Sequence, residues 1–526
     1  MIHRKKKIRR KDHRRFAILI WLAVILCVAI LAGILVKIIA EPYIRKKIIT
    51  ALNAPNSDHT IAVGEIQINW ITPGIKLFKV IVATKYDSSA FSISGEIELI
   101  EFKHIHLLRA LFANEFRLNQ IAISKGRLLA QSLRDTTKGP IISEYAVQIG
   151  GISIYDLQIQ YRSVADSQNL FVSGLTANIE QIEINPKDTL KPGLIKMVDL
   201  TLKKAGWYRS DSLYTITAHG LQYSENSGIL ETDSLDIVPR YKSYQHTDRF
   251  RYQTDRIECY IKNVVVHDFS LSQFVENGDF IATSILTDEI YLDAFRDKRK
   301  EFHHQPRKML QDVIYSYAGI LHIDSILIKE GRILYTEHAE NAEEPGFVFF
   351  SGLQATLRNI SNNPQLSAKE KLMTLNVKAL LMGKAEILVD LNARLFEPNN
   401  IFTLSGTIGR MDLSILNPMF EKNQFINLSG MVKTLQFGFT ADLQKATGTQ
   451  SFLYNDLKVE IKNKDGLLRD KINSWIINIS LVNSNPRPGE DPRIGQIDFE
   501  RDPEKFIFSY SLKALMTGIK YTVTGK

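Results

Sequence analysis

The sequence predicts a mainly β protein. An N-terminal transmembrane helix is followed by a β-rich body, a sheet extended by repetition, with a few short helices. Three observations predict it. A run of 21 residues without a charge stands near the start. Period-two alternation of apolar and polar residues recurs along the rest of the chain, the signature of strands with one apolar face. A kinked strand phrase is repeated.

The first element is a basic tail, residues 1–15, with nine Lys/Arg and one Asp. The apolar run follows at 16–36 and extends to a span over 16–39. At about 1.5 Å per helical residue, 21 residues cross a hydrocarbon core of roughly 30 Å. The run lacks a polar stripe and a small-x-small cleavage site, so it reads as an uncleaved anchor. Nine cations precede it and four (Lys37, Arg45, Lys46, Lys47) follow, which keeps the N-terminus cytoplasmic. The chain carries +9 in all, of which the tail holds +8 and residues 37–47 hold +3. The remainder is near neutral at −2, which argues for a membrane and against nucleic acid.

The body divides into a first β-rich segment, 40–240, and a second, 241–526, separated at the polar stretch 241–251. Hydrophobic residues at 44% and charged residues at 23% describe a folded chain. Two cysteines exclude a disulfide scaffold. Alternation is clear at 66–70, 387–395, 432–439, 506–512 and 519–523. Helical patterns are short, at 105–113, 306–317 and 412–420. At 12–16 residues per strand and turn, the body holds roughly 30–40 strands, and at about 4.8 Å between strands a sheet of at most about 150–190 Å.

LNQIAISKGRLLAQ (118–131) and IDSILIKEGRILYT (323–336) align without gaps. A looser form begins at Ile121, Ile152, Val264 and Ile326. Within each copy the apolar phase slips by one residue at the charged position, which needs a bulge or kink, and Gly126 and Gly331 suit the unusual backbone. Sheets extended by such units contact mainly their neighbours.

No catalytic chemistry emerges. His104-x-His106 and His303-His304 lack a supporting ligand cluster, and H-E-x-x-H, G-x-S-x-G and phosphate-loop patterns are absent. The expectation is a non-enzyme with no cofactor, no metal and no catalytic residue. The apolar strand faces remain, either closed on each other or lining a groove for acyl chains. Ile387, Val389, Leu391, Leu435, Phe437 and Phe439 are the candidates for that groove. Phe437→Glu is expected to block lipid contact without unfolding the sheet.

The phrases LSGTIG (404–409), MDLSILNP (411–418), LSGMV (428–432), GT (448–449), LYNDL (453–457) and ILIKEGRILYTEHA (326–339) resemble the AsmA-like family of bacterial envelope proteins. The resemblance implies a single-pass inner-membrane protein with a periplasmic body. That body would be an elongated, curled antiparallel β-sheet (a repeating β-groove) with an apolar lining, related in architecture to TamB and to bridge-like lipid transfer proteins. It implies phospholipid transfer between membranes or outer-membrane lipid homeostasis. Membrane phospholipids would be its partners, with an outer-membrane or periplasmic protein completing the path. The alternative is an envelope assembly scaffold that binds outer-membrane protein clients.

Overall fold

The computed structural model describes residues 25–31, 33–34, 37–38, 41–53, 59–70, 72–85, 91–104, 116–132, 147–164, 167–184, 197–209, 213–461 and 482–524. The predicted tail, most of the predicted span at 16–39 and the helical stretch 105–113 lie outside the described residues. Residues 25–31 are helical. Among the described residues no helix is long and apolar enough to cross a membrane.

Helix α1 (Glu41–Leu52) leads into β1 (His59–Asn69), β2 (Gly74–Thr84), β3 (Phe91–Lys103), β4 (Phe116–Leu118), β5 (Gln120–Ser132), β6 (Val147–Ser163), β7 (Gln168–Ile184), β8 (Met197–Arg209), β9 (Tyr214–Ser224) and β10 (Ile229–Pro239). Helix α2 (Ser243–Thr247) precedes β11 (Asp255–His267), and α3 (Leu271–Asn277) precedes β12 (Phe280–Asp297). Helix α4 (Leu310–Tyr315) comes before β13 (Leu321–His338), β14 (Gly346–Ser361), β15 (Leu372–Leu381), β16 (Ala385–Arg394), β17 (Phe402–Ile408) and β18 (Met411–Asp412). A 3-10 turn (Leu413–Leu416) and α5 (Asn417–Asn423) lead to β19 (Ile426–Ala441), β20 (Lys445–Ile461), β21 (Ile494–Glu500) and α6 (Ile507–Thr524).

The described strands form one 21-stranded sheet, and its rows follow chain order. β4 and β5 lie end to end beside β6, and β17 and β18 end to end beside β19, leaving nineteen rows. The outer rows, β1 and β21, bond on one side only among the described residues, so the sheet is open. Pairing is antiparallel except at two junctions, where β4 and β5 run parallel to β6 and β12 runs parallel to β13. The sheet passes unbroken through the predicted boundary at 240/241, because β10 pairs directly with β11.

The described strands are fewer and longer than expected. β12 and β13 have 18 residues each, and nineteen rows at about 4.8 Å span only about 86 Å. The phase slip explains the difference, since an alternation that breaks at a kink reads in the sequence as the end of a strand. The kinks themselves are real. Lys79, Lys125, Asp156, Gly174, Gly220 and Asn263 have φ of 49–64° within β2, β5, β6, β7, β9 and β11. The paired register skips Lys79, Glu98, Lys125 and Asp156 on successive rows, and Asp288 and Lys329 farther on. These residues form one crease across the rows from β1 to β14, while β15, β16 and β17 pair without a break. Opposite charges alternate along it: Lys125 Nζ lies 3.7 Å from Glu98, Lys203 Nζ 3.3 Å from Asp156 and Lys329 Nζ 2.6 Å from Asp288.

In the first copy of the repeat the left-handed residue is Lys125, not the glycine after it, and in the second copy none of Lys329, Glu330 and Gly331 is left-handed. Lys125 has φ 49°, and neither Gly126 nor Gly331 is in the left-handed region. Gly126 is needed for close approach: a Cβ there would sit 2.8 Å from the Glu96 carbonyl oxygen. Gly331 is less confined, with Leu353 Cδ2 3.2 Å from such a Cβ. A left-handed backbone costs a side chain about 1–2 kcal/mol, and more when it is β-branched. Lys125→Val is therefore expected to destabilise the chain by about 1–2 kcal/mol and Lys125→Gly to leave it unchanged or firmer. Urea unfolding of the two variants checks this.

The predicted C-terminal strands at 506–512 and 519–523 are instead the helix α6. Its buried side chains, Tyr510, Ala514, Gly518 and Thr522, recur every four residues, while the bulky Phe508, Leu512 and Tyr521 that produced the alternation are exposed. Small residues let α6 lie flat on the sheet: a Cβ on Gly495 in β21 would sit 2.4 Å from the Gly518 carbonyl oxygen. The helices expected at 306–317 and 412–420 are present as α4 and as the 3-10 turn with α5.

Helix α2 packs on the opposite face of the sheet, with Tyr244 5.0 Å from Phe295 and His246 5.2 Å from Tyr214 between ring centroids. His246 is fully buried. Burial, then the Arg256 and Arg249 charges, holds its pKa below the usual histidine value. The native state thus favours the neutral ring. Its contribution is complete above about pH 6.5, the unfolded value, and declines as the pH falls below it. Thermal melting between pH 7 and pH 5 should show this loss, and His246→Phe should flatten it.

Candidate functional site

Residues directly opposite one another on paired strands share a face. Followed from row to row, one file of side chains crosses the entire sheet. It runs Ile66, Leu77, Ile100, Ile123, Ile154, Ala177, Leu200, Tyr223, Leu230 and Val266 over β1 to β11. It continues Ile285, Ile326, Leu357, Leu375, Leu391, Leu404, Phe439, Gly448 and Ile497 to β21. No position in it is charged. Across the crease, a second apolar file runs from Ile61 and Val82 through Gly95, Leu128, Ile159, Val172, Ala205, Ala218, Leu235 and Ile261 to Ile290 and Gly331. Near β1 to β5, members of both files and Ile48 and Leu52 of α1 join one cluster around Leu77, Val80 and Ile97, so the face is packed there.

The six predicted groove residues lie on this face, brought together as three rungs. Leu391, Leu404 and Phe439 form one, Val389, Gly406 and Phe437 the next, Ile387, Ile408 and Leu435 the third. Ile387, Leu391, Leu435 and Phe439 are buried, while Val389 and Phe437 are partly buried. One cluster joins the first rung to Met309 before α4 and to Tyr510 and Ala514 of α6. A second joins the third rung to Leu413, Phe420, Leu515 and Val523. Phe437 packs against both. At this end the face is filled by the chain's own helices.

The middle rows differ. Among the described residues, none of the five apolar clusters includes a side chain of β6 or β7. Ile154, Ile159, Val172, Ala205, Ala218, Leu235 and Ile261 are all partly exposed and Leu170 is 39% exposed, while Leu157 and Ala177 on the same face are buried. The repeat pointed here, because its copies at Ile121 and Ile152 pair in register on β5 and β6. What the sequence did not reveal is that helices cover one end of the face and leave this part bare.

The files end in charge. Beyond Ile257 and Ala294, the next positions on the same face are Asp255 and Arg296, which pair through both guanidinium Nε and Nη2. Beside them the Tyr335 hydroxyl donates to Glu337 at 2.6 Å, and Lys298 lies 2.8 Å from Glu337. Burial, then the Glu337 carboxylate, pushes the Tyr335 hydroxyl well above its ordinary pKa, so it is a fixed donor. Among the described residues no group of three or more His, Cys, Asp and Glu is placed to hold a metal ion. Cys259 is buried and unpaired. No family model and no curated protein matches the chain.

Proposed function

We propose that the chain is a membrane-anchored carrier for phospholipid acyl chains, serving lipid transfer or lipid balance in a bacterial envelope. The 16–39 segment would be its inner-membrane anchor and the sheet its periplasmic body, as the AsmA-like resemblance suggests. The supporting observation is the unbroken apolar face, partly exposed over β6 and β7 except at Leu157 and Ala177, and flanked by filled ends. A hydrocarbon chain laid there removes apolar surface from water at about 25 cal/mol per Å². At about 86 Å the sheet is long enough for several lipids in file but short for a complete bridge between membranes, which favours a shuttle or a partner protein.

A photo-reactive amino acid at Val172 and, as control, at Phe402 tests the reading in the full chain. Crosslinked phospholipid is expected at 172 and not at 402. Its absence at 172, with no lipid recovered by mass spectrometry of the purified chain, removes the proposal. The open edges of β1 and β21 favour a second reading, a scaffold that binds client proteins by strand addition.

A further inference from the structure

We propose that the cavity at the rim where the β11 and β12 files end binds a phosphate ester, and that it seats the headgroup of the carried lipid. The second half of this statement rests on the carrier reading; the phosphate site itself does not.

The cavity holds about 370 Å³ and is lined by Arg251, Arg296, Arg307, Tyr252, His303 and Phe506, with Asp255 the one carboxylate in its wall. Three guanidinium groups against a single acid leave the cavity positive. Their commitments differ. Arg296 is held by Asp255 in a two-point bond. Arg251 Nε donates to Glu301 at 3.1 Å, but both side chains are well exposed, so water and salt screen the pair. Arg307 has no carboxylate partner among the described residues.

The Arg307 backbone is nevertheless fixed at both ends. Its N–H donates to the Pro503 carbonyl at 2.8 Å, and its own carbonyl accepts from Arg501 Nη2 at 2.9 Å. Its guanidinium rests 4.9 Å from the Phe506 ring centroid, which leaves the N–H edge unspent. On the other wall, Arg251 lies 5.2 Å from the Tyr252 centroid, and Tyr252 stacks on His303 at 4.4 Å and 12°. Aromatic stacking orients guanidinium planes without using their hydrogen-bond donors. Arginine forks of this kind match the several oxygens of a phosphate, whereas a single carboxylate satisfies one fork.

The location adds a second argument. Asp255 and Arg296 are the first charged positions after Ile257 and Ala294 on the same strand faces. A ligand lying across that boundary meets hydrocarbon on one side and cations on the other, as a phospholipid would.

The test titrates the full chain and its Arg307→Gln and Arg251→Gln variants with three probes. These are inorganic phosphate, dihexanoyl phosphatidic acid and dihexanoylglycerol, which has the same acyl chains without phosphate. Arg307→Gln is expected to weaken phosphatidic acid binding at least about tenfold and to leave dihexanoylglycerol binding unchanged. Arg251→Gln should act in the same direction with a smaller factor. If inorganic phosphate binds and loses affinity in the same proportion, the site takes free phosphate; if only the lipid does, it takes a headgroup. Unchanged phosphatidic acid affinity in both folded variants overturns the site, even where dihexanoylglycerol binding upholds the carrier reading. Phosphate binding that depends on Arg307, with neither lipid bound, upholds the site and overturns the carrier.

Discussion

Replacing Phe402 with alanine is expected to lower the stability of the chain by about 3–5 kcal/mol, the range for deleting a fully buried aromatic ring. Phe402 is 1% exposed. Its ring meets Phe439 edge-on at 6.5 Å and Tyr510 edge-on at 6.2 Å, so it ties α6 to the sheet. Each neighbour is itself buried and cannot relax into the space. Ile159→Ala, on the bare rows, removes a side chain that already meets water and should cost about 1 kcal/mol or less. Urea midpoints of the two variants decide between a filled end with an open middle and a face closed throughout. Equal losses would rule out the open middle.

The second large effect concerns lipid. Val172→Glu is expected to reduce co-purifying phospholipid at least about tenfold with little change in melting temperature. A carboxylate on a partly exposed strand face reaches water, but an acyl chain laid across it would bury it without a partner, at a cost of several kcal/mol. Phe437→Glu should behave in the opposite way. It is partly buried and packs against both C-terminal clusters, so a carboxylate there meets apolar side chains on two sides and should unfold the C-terminal rows. This reverses the outcome expected of Phe437 from the sequence. Lipid mass spectrometry and thermal melting of both variants measure the contrast.

The β class was legible because alternation in strands such as β16 is unambiguous: Ile387, Val389 and Leu391 point one way, Leu388 and Asp390 the other. The kink was legible too, since the phase slip around Lys125 is a local property. Which residue takes the left-handed backbone was not legible. Glycine is the usual choice, but here the residue facing solvent adopts it and Gly126 serves close strand approach. The two parallel junctions depend on where long connections run, which pattern does not encode. The helix α6 was misread because two periods coexist there, bulky residues at spacing two and small ones at spacing four. Burial selected the spacing of four, in which Tyr510 is the one bulky member. The candidate groove residues were placed on the right face, but their filling depends on α4, α5 and α6 arriving from elsewhere in the chain.

The chain-order pairing of the rows bears on how the protein comes apart. Each row from β6 to β11 pairs only with its two neighbours, so this part should behave as a one-dimensional array that frays row by row. The C-terminal rows are different, because α4 and α6 join β13, β16, β17, β19 and β21 into one cluster. Opening any one of them exposes the others. Amide hydrogen exchange should accordingly show a graded series of protection from β6 to β11 and a single cooperative unit from β13 to α6. Such a gradient would let the bare rows flex around a ligand while the far end holds its shape.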